Sequence, residues 1–161
     1  IQAHASNYTG QLAFTASLLH DIGKLVLGQF LSEELQTWIE TAIREGKQTR
    51  FEAEKEVLSL HHGEAGGIIA QHWGLPDQLV RGIIFHHDPD EAGDQICHVT
   101  YLANLVAHQL EEDPTSIHSL TPWEPRNVSR SLRWLGLDEK HLVNVCRDAQ
   151  QRLQNMTGQM D

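Results

Sequence analysis

Apolar residues recur every three or four positions along most of the chain, the spacing typical of helices that bury one face. Residues 10–30 give the clearest case and predict a central helix with a wide apolar stripe. The positions in this stripe are Leu12, Ala16, Leu18, Leu19, Ile22, Leu25 and Val26. No segment alternates apolar and polar residues with the period of two that marks a β-strand, so we predict an all-α fold without a sheet.

Signals for helix starts and ends divide the remaining chain. Ser32 fits the N-cap of a helix, and Gly46 fits the glycine that ends it. Pro76 suits the first turn of a helix that Asp88-Pro89 stops. In all, the pattern predicts helices over about residues 10–30, 32–45, 51–60, 64–73, 76–87, 95–111, 128–135 and 138–156, with a loop at 113–127. Because no low-complexity linker separates them, residues 1–161 are predicted to form a single domain.

Polar residues interrupt the central helix in the run SLLHDIGKLVLGQF, residues 17–30. His20 and Asp21 break the apolar pattern, and Gly23 and Lys24 follow. Burying an unpaired charge costs several kcal/mol, so these groups need partners. An imidazole nitrogen beside a carboxylate oxygen suits a divalent transition metal. A buried Asp–His hydrogen bond that fixes helix packing satisfies the same groups without an ion.

Polar residues also interrupt apolar helices at three further places. His62 is followed by a glycine pair, which leaves a bare helix face that another helix can approach closely. His86-His87 closes an apolar helix, where histidines also suit the C-terminal dipole, and Asn104 lies inside another helix. Because scattered burial of polar groups is costly, we expect the side chains of His20, Asp21, His62, His86 and His87 to gather in one pocket.

Composition limits the classes of function. The formal net charge is -10 with lysine and arginine dispersed, so we expect no nucleic-acid partner. No apolar run reaches the roughly 20 residues that span a bilayer, and no signal peptide is visible, so we expect no membrane association. Cys97 and Cys146 form no CxxC pair, which favours reduced thiols and a cytoplasmic location. Eleven histidines in 161 residues direct attention to imidazole chemistry.

The ordered motifs LLHDIGKLVL, LHHGEAGGIIAQHWGLP, IIFHHDP and VTYLANLVAH resemble the HD superfamily of metal-dependent phosphohydrolases over about residues 12–110. The likeness is to its HDOD branch, the HD-related output domains of bacterial signalling proteins. The WGLP stretch ahead of the histidine pair, and the lack of a Gly-Tyr-Pro segment after His87, favour HDOD over HD-GYP. The resemblance implies an HD-domain-like helical bundle.

Site residues follow from this resemblance. It implies metal ligands at His20, Asp21, His62, His86, His87 and Asn104. It also implies catalytic roles for Asp21 and for Lys24, whose counterpart in active relatives lies near the substrate phosphate. The implied cofactor is a divalent ion, iron, manganese or zinc, at low occupancy.

The chain departs from active relatives at two positions. Active enzymes carry an aspartate where this chain has Asn104, and a neutral amide is a poorer metal ligand than a carboxylate. Active enzymes also use a histidine from a helix well upstream of the HD pair. His4 lies too close to His20 to be that residue, so we expect the chain to lack the upstream helices.

Two functions from different classes stay open. The departures favour a non-catalytic output module of bacterial signal transduction. Its expected partners are other signalling proteins or other domains of its parent chain. Whether it forms a homodimer is left open. The alternative is a metal-dependent phosphohydrolase acting on a nucleotide or another phosphoester, with metal-bound hydroxide as the nucleophile.

Individual side chains also have structural interpretations. Lys24 and His61 are by default surface residues. Asn104 is most simply a core amide bonded to a neighbouring backbone group or to a histidine. Trp73 and Trp134 are interpreted as core anchors rather than as a ligand platform.

Overall fold

The computed structural model describes residues 7–46, 48–112 and 125–157. Over these residues the chain is helical and has no β-strand, which confirms the predicted all-α fold. The helices are α1 (Asn7–Leu19), α2 (Ile22–Phe30), α3 (Glu33–Gly46), α4 (Arg50–Leu58), α5 (His62–His72), α6 (Asp77–Ile84), α7 (Pro89–Ala92), α8 (Gln95–Glu112), α9 (Pro125–Trp134) and α10 (Glu139–Thr157). None of these described helices combines the length and apolar content needed to cross a membrane.

The centre of the fold is a bundle in which α5 packs against α2 and α6, while α1 and α8 both pack against α6. This arrangement confirms the predicted bundle. Three groups of buried apolar side chains hold it together. One joins α1, α6 and α8 through Ala13, Ala16, Leu79, Ile96 and Val99. A second joins α5 and α6 through Ala70, Val80 and Ile83. A third joins α8 to α9 and α10 through Leu102, Leu105, Val106, Val128, Leu132, Leu142 and Cys146.

The prediction of one helix over residues 10–30 is wrong, because the structure has two helices there. α1 ends at Leu19 and α2 begins at Ile22, so His20 and Asp21 form the turn between them. The His20 ring donates from Nδ1 to the Ser17 carbonyl at 2.7 Å, which gives the end of α1 a polar partner. Consecutive residues in a regular helix point about 100° apart. The turn instead brings His20 Nε2 to 3.3 Å from Asp21 Oδ2.

The predicted helix over residues 76–87 also ends early. α6 stops at Ile84, so His86 and His87 lie in the loop before α7, a short helix that the sequence did not predict. The His86 ring donates from Nδ1 to the Ile83 carbonyl at 2.7 Å, at the C-terminal end of α6. Pro76 precedes α6 as its N-cap rather than lying in its first turn.

Trp73 and Trp134 are not core anchors, since their exposed fractions are 56% and 52%. Trp73 is the C-cap residue of α5, where the chain turns at Gly74 with positive φ, so its ring lies at the surface. Trp134 ends α9 and covers His98 with one face. The predicted loop over 113–127 lies largely outside the described residues, and α9 begins inside it at Pro125. His4 lies outside them too.

Helices α2 and α5 cross at glycines. A Cβ atom on Gly23 would lie 1.8 Å from the His62 carbonyl oxygen and 2.7 Å from the Gly66 nitrogen. A Cβ atom on Gly67 would lie 2.2 Å from Ile84 Cγ1, so α6 approaches the same bare face. The close approach predicted beside His62 is therefore confirmed, and it brings the start of α5 against the turn that carries Asp21.

Helices α3 and α4 form a hairpin beside this bundle. They pack chiefly against each other, and Ile39 is the buried residue of α3. Helix α4 begins with a capping box in which Thr49 Oγ1 accepts from the Glu52 backbone N–H and the Glu52 side chain accepts from the Thr49 N–H. The buried residues of α4 are Ala53 and Glu54. We refer to α3 and α4 as the α3–α4 hairpin.

His98 joins α8 to α9. Its side chain is fully buried, with Nδ1 3.0 Å from Ser131 Oγ and the ring stacked on Trp134 at a centroid distance of 4.9 Å. Burial lowers the pKa of His98, although the nearby carboxylates Asp90 and Asp94 oppose the shift.

This depressed pKa predicts an acid-sensitive contribution to stability. Below about pH 6.5 His98 binds a proton in the unfolded chain but stays neutral in the folded chain. The free energy of unfolding therefore decreases as the pH is lowered. In the double variant His98→Phe/Ser131→Ala, which keeps an aromatic ring beside Trp134, this dependence is absent. Urea unfolding followed by circular dichroism should show the stability of wild type relative to the variant declining from pH 7 to pH 5. A difference that stays constant over that range would contradict the assignment.

Candidate metal centre

Polar side chains from the α1–α2 turn, the start of α5 and the loop after α6 converge at one place. His62 Nε2 lies 2.8 Å from His87 Nε2 and 3.3 Å from His86 Nε2. Asp21 Oδ1 lies 3.3 Å from His62 Nε2 and 3.7 Å from His86 Nε2. With His20 beside Asp21, the predicted gathering of these five side chains in one pocket is confirmed. Their role as metal ligands stays a prediction.

Hydrogen bonds on the outer side fix how three of these rings are oriented. Nδ1 of His62 donates to the Glu54 carboxylate at 2.5 Å, and Nδ1 of His86 donates to the Ile83 carbonyl. Nδ1 of His20 donates to the Ser17 carbonyl. In a neutral imidazole whose Nδ1 donates, Nε2 carries a lone pair. For His86 that lone pair points into the cluster, the orientation usual for metal-bound histidine. Burial works against the charged form of His62, but hydrogen bonds with Asp21 and Glu54 raise its pKa, so an ion that binds Nε2 of His62 must displace a proton from it.

The donor atoms form two overlapping groups of a size that fits a metal ion. His62, His86 and His87 form one, and His20, Asp21 and His86 form the other, with one ligand atom from each residue within 4.8 Å of the rest of its group. Among the described residues, the buried Asp21 Oδ1 receives no hydrogen bond. Facing nitrogen lone pairs and an unpartnered carboxylate oxygen repel one another unless a proton or cation lies between them. The residues therefore fit a divalent ion.

Protonation states favour metal binding at the histidine pair. Burial lowers the pKa of His87 to about 3, with further lowering by the neighbouring His62, and lowers that of His86 well below 6.5. Both rings are thus neutral near pH 7, the form that binds metals. Burial also disfavours ionisation of Asp21, but close polar contacts with His20, His62 and Lys24 hold the pKa of its carboxyl well below the usual range.

His20 differs from the other rings because Asn104 engages it. Its Nε2 lies 3.1 Å from Asn104 Oδ1, so both ring nitrogens face carbonyl oxygens. A ring satisfies two acceptors only as the imidazolium cation. Burial works against that form, but hydrogen bonding and charge from Asp21 raise the pKa of His20. The interpretation of Asn104 as an amide bonded to a histidine is confirmed.

Lys24 is not a free surface residue. Its Nζ donates to Asp21 Oδ2 at 2.7 Å, and its side chain is 30% exposed. The spacing of three residues in α2 allows this ion pair. Because both oxygens of Asp21 lie against other site groups, Lys24 competes with any cation for that carboxylate.

His61 is not exposed either, since only 6% of its surface is accessible. It is the N-cap of α5, where its Nδ1 accepts from the Gly63 backbone N–H at 3.1 Å while its own N–H donates to Glu64. Its ring also packs against Phe51. A capping role explains this buried histidine, because its two ring nitrogens contact Gly63 and Glu64 rather than the cluster.

Glu54 is a partner of the cluster that the sequence did not reveal. Its side chain is 1% exposed, and its carboxylate accepts from the His62 backbone N–H at 2.8 Å and from His62 Nδ1. Burial disfavours the ionised form, but hydrogen bonds from His62 lower the pKa of Glu54. The α4 sequence RFEAEKEVL carries four charged residues besides Glu54, so periodicity gave no sign that this one faces inward.

Comparison with known proteins identifies a matching family and two similar proteins. A family model described as HDOD domain matches residues 1–89. An "Uncharacterized protein" of Treponema pallidum (strain Nichols) is 27% identical over 133 residues, which cover 74% of this chain and 22% of that protein. The crystal structure of "Putative phosphohydrolase from Shewanella amazonensis SB2B" superposes with a TM-score of 0.67 at 25% identity, covering 86% of this chain and 50% of that one. The chain thus spans half or less of the length of these two relatives.

Proposed function

The chain belongs to the HDOD family, and from this premise we propose that it is a non-catalytic regulatory module of a signalling protein that retains a divalent-metal site. The observation that supports the loss of catalysis most directly is the contact between His20 Nε2 and the neutral Asn104 amide at 3.1 Å. Because Asn104 Oδ1 accepts a hydrogen bond from His20 Nε2, that nitrogen is not available as a ligand for a second metal ion. The proposed partners are other signalling proteins or other domains of the parent chain.

The proposed metal site uses the remaining donors. His62, His86 and His87 would supply neutral imidazoles, and Asp21 would supply a carboxylate. Glu54 holds the His62 ring in the tautomer that presents Nε2, and Ile83 does the same for His86. A divalent ion bound there would supply positive charge that neutralises Asp21 and fixes the α1–α2 turn to α5 and the loop after α6. Such a site would stabilise one arrangement of these elements, which suits a regulatory module.

A metal-dependent phosphohydrolase is the second candidate. It is favoured by the cluster of three imidazole nitrogens and one carboxylate, and by the likeness to a structure whose name includes phosphohydrolase. In such an enzyme the bound ion acts as a Lewis acid and lowers the pKa of a coordinated water. Lys24, paired with Asp21, would then lie beside the reacting phosphate.

The test compares wild type with Asp21→Ala and Asn104→Asp. We expect wild type to bind Mn²⁺ and to leave a phosphodiester substrate unhydrolysed, while Asp21→Ala loses the metal. Asn104→Asp adds a charged ligand beside His20 and should raise the Mn²⁺ affinity about tenfold, since one more carboxylate strongly favours a dehydrated ion. Calorimetric metal titration and a chromogenic phosphodiester assay give the two readouts.

The outcomes separate the candidates. Hydrolysis by wild type that Asp21→Ala abolishes would establish the enzyme and overturn the non-catalytic proposal. Mn²⁺ binding that is equal in wild type and Asp21→Ala would place the ion elsewhere. Thermal unfolding of each variant serves as the control for loss of fold.

A further inference from the structure

His87 differs from the other rings of the candidate metal centre in how it is held. The rings of His20, His62 and His86 each donate from Nδ1 to a carboxylate or a carbonyl oxygen. Within the described part of the chain, the His87 ring makes one contact at hydrogen-bond distance, between its Nε2 and His62 Nε2. Because no outer hydrogen bond fixes the orientation of this ring, the packing around it must do so.

Three aromatic rings pack around His87. The ring centroid of Phe51, from α4, lies 4.9 Å from that of His87, and the two planes are inclined by 40°. The His86 ring lies 4.0 Å away, and the His62 ring lies 4.8 Å away in an edge-to-face arrangement. Aromatic pairs favour offset or inclined rings with centroids about 4.5–7 Å apart. Of these three neighbours, Phe51 is the one that comes from outside the donor cluster.

Phe51 packs on polar rings rather than on the apolar core. It belongs to none of the three groups of buried apolar side chains found among the described residues. Besides His87, its half-buried ring contacts His61 at a centroid distance of 4.5 Å, and Lys55 Nζ lies 5.4 Å from its centroid. A phenylalanine in such surroundings stabilises the arrangement of the imidazoles more than it adds to aliphatic packing.

Two residues of α4 face the centre from one turn of the helix. Phe51 and Glu54 are three positions apart, which places them on the same face of α4. Glu54 accepts from Nδ1 of His62, and Phe51 packs on His87. His62 and His87 are the imidazoles whose Nε2 atoms lie 2.8 Å apart. The same turn of α4 therefore contacts both rings of this donor pair.

We propose that Phe51 is a positioning residue of the metal centre, which holds the His87 ring with Nε2 toward His62 and so presents that nitrogen to the ion. Phe51 supplies by packing what outer hydrogen bonds supply for the other rings. This role of Phe51 rests on the metal site of the proposed function. Without the phenyl ring, space opens beside His87, its imidazole takes up other orientations, and the affinity for the metal falls.

The first test is calorimetric Mn²⁺ titration of the 161-residue chain. Phe51→Ala should lower the Mn²⁺ affinity about tenfold, the lower end of the loss usual for an outer partner of a ligand. Phe51→Leu keeps an apolar side chain against His87 and should lower the affinity less. Phe30→Ala is the matched control, because Phe30 is 82% exposed on α2. Thermal unfolding of each metal-free variant checks that it remains folded.

A double-mutant cycle shows whether Phe51 acts through His87. In a His87→Ala background, Phe51→Ala should lower the Mn²⁺ affinity by less than about twofold, because the ring that Phe51 positions is gone. In a His61→Asn background, which keeps an N-cap side chain for α5, the full loss should persist. A loss of the same size in the His87→Ala background as in wild type would overturn the proposal, since Phe51 would then act through general packing.

Proton NMR of the metal-free chain gives a readout that needs no ion. The Phe51 ring current should shift the ring protons of His87, so Phe51→Ala should move these resonances and leave those of His98 in place. Unchanged His87 resonances, or equal Mn²⁺ affinity in Phe51→Ala and Phe30→Ala, would overturn the role of Phe51 alone. A wild-type chain that binds no Mn²⁺ would overturn the metal site of the proposed function and this role together.

Discussion

Gly23→Ala is expected to disrupt the fold, lowering the free energy of unfolding by about 3 kcal/mol or more. The added Cβ would lie 1.8 Å from the His62 carbonyl oxygen and 2.7 Å from the Gly66 nitrogen. Both are backbone atoms, so no side chain can rotate away, and α2 and α5 must separate. Because His62 begins α5, the same movement takes its ring away from Asp21. Urea unfolding and Mn²⁺ titration should therefore both report a loss.

The matched control is Gly28→Ala on the same helix. A Cβ atom at Gly28 meets no atom within 4 Å, and the position is exposed. Replacing glycine by alanine in an exposed helix raises stability by about 0.5–1 kcal/mol, because the unfolded chain loses freedom. Similar stabilities for the Gly23→Ala and Gly28→Ala proteins would show that the crossing of α2 and α5 is not as close as described.

Glu54→Ala is expected to destabilise the protein by about 3–5 kcal/mol, the usual cost of removing one partner of a buried ion pair. The change leaves the His62 backbone N–H and Nδ1 without their acceptor in a site where the His62 side chain is 1% exposed. With its ring no longer oriented, His62 should also lose metal affinity, about 10- to 100-fold for an outer partner of a ligand. Calorimetric Mn²⁺ titration measures that loss.

Two variants separate the orienting role of Glu54 from a general loss of fold. Glu54→Gln keeps an acceptor for His62 and should recover most of the stability but less of the metal affinity. Glu56→Ala changes an exposed glutamate on the same helix and should alter stability by less than about 0.5 kcal/mol. Nitrogen chemical shifts of His62 report whether its proton stays on Nδ1. A His62 that keeps the same tautomer and Mn²⁺ affinity in Glu54→Ala would show that Glu54 does not orient it.

The sequence predicted the helices well because each buries one apolar face. Most of the predicted bounds lie within two residues of those in the structure, as for α4 and α10. It failed where polar contacts override periodicity. The turn at His20 and the early end of α6 depend on hydrogen bonds from imidazole rings to carbonyls three residues earlier. Those bonds exist only when the folded chain holds the rings in place, so the apolar pattern continues through both breaks.

The sequence predicted which side chains gather at the site, but not which residues orient them. The high cost of burying polar groups separately was enough to predict that His62 and His87 lie together. The same reasoning could not find Glu54, because a buried glutamate and an exposed one look alike in a charged helix. It also placed His61 at the surface, since an imidazole at an N-cap has no sequence signal as clear as that of serine or aspartate.

The weak attachment of the α3–α4 hairpin gives the molecule two levels of cooperativity. Its helices pack chiefly against each other, whereas α5 and α6 lie in the centre of the bundle. Segments with few buried contacts open at a lower free energy than the core, as separate cooperative units. We therefore expect Glu54 to belong to the unit that opens first and His62 to the unit that opens last. The imidazole can therefore be released from its carboxylate by a local opening of the hairpin, while the bundle of α1, α2, α5, α6 and α8 stays intact.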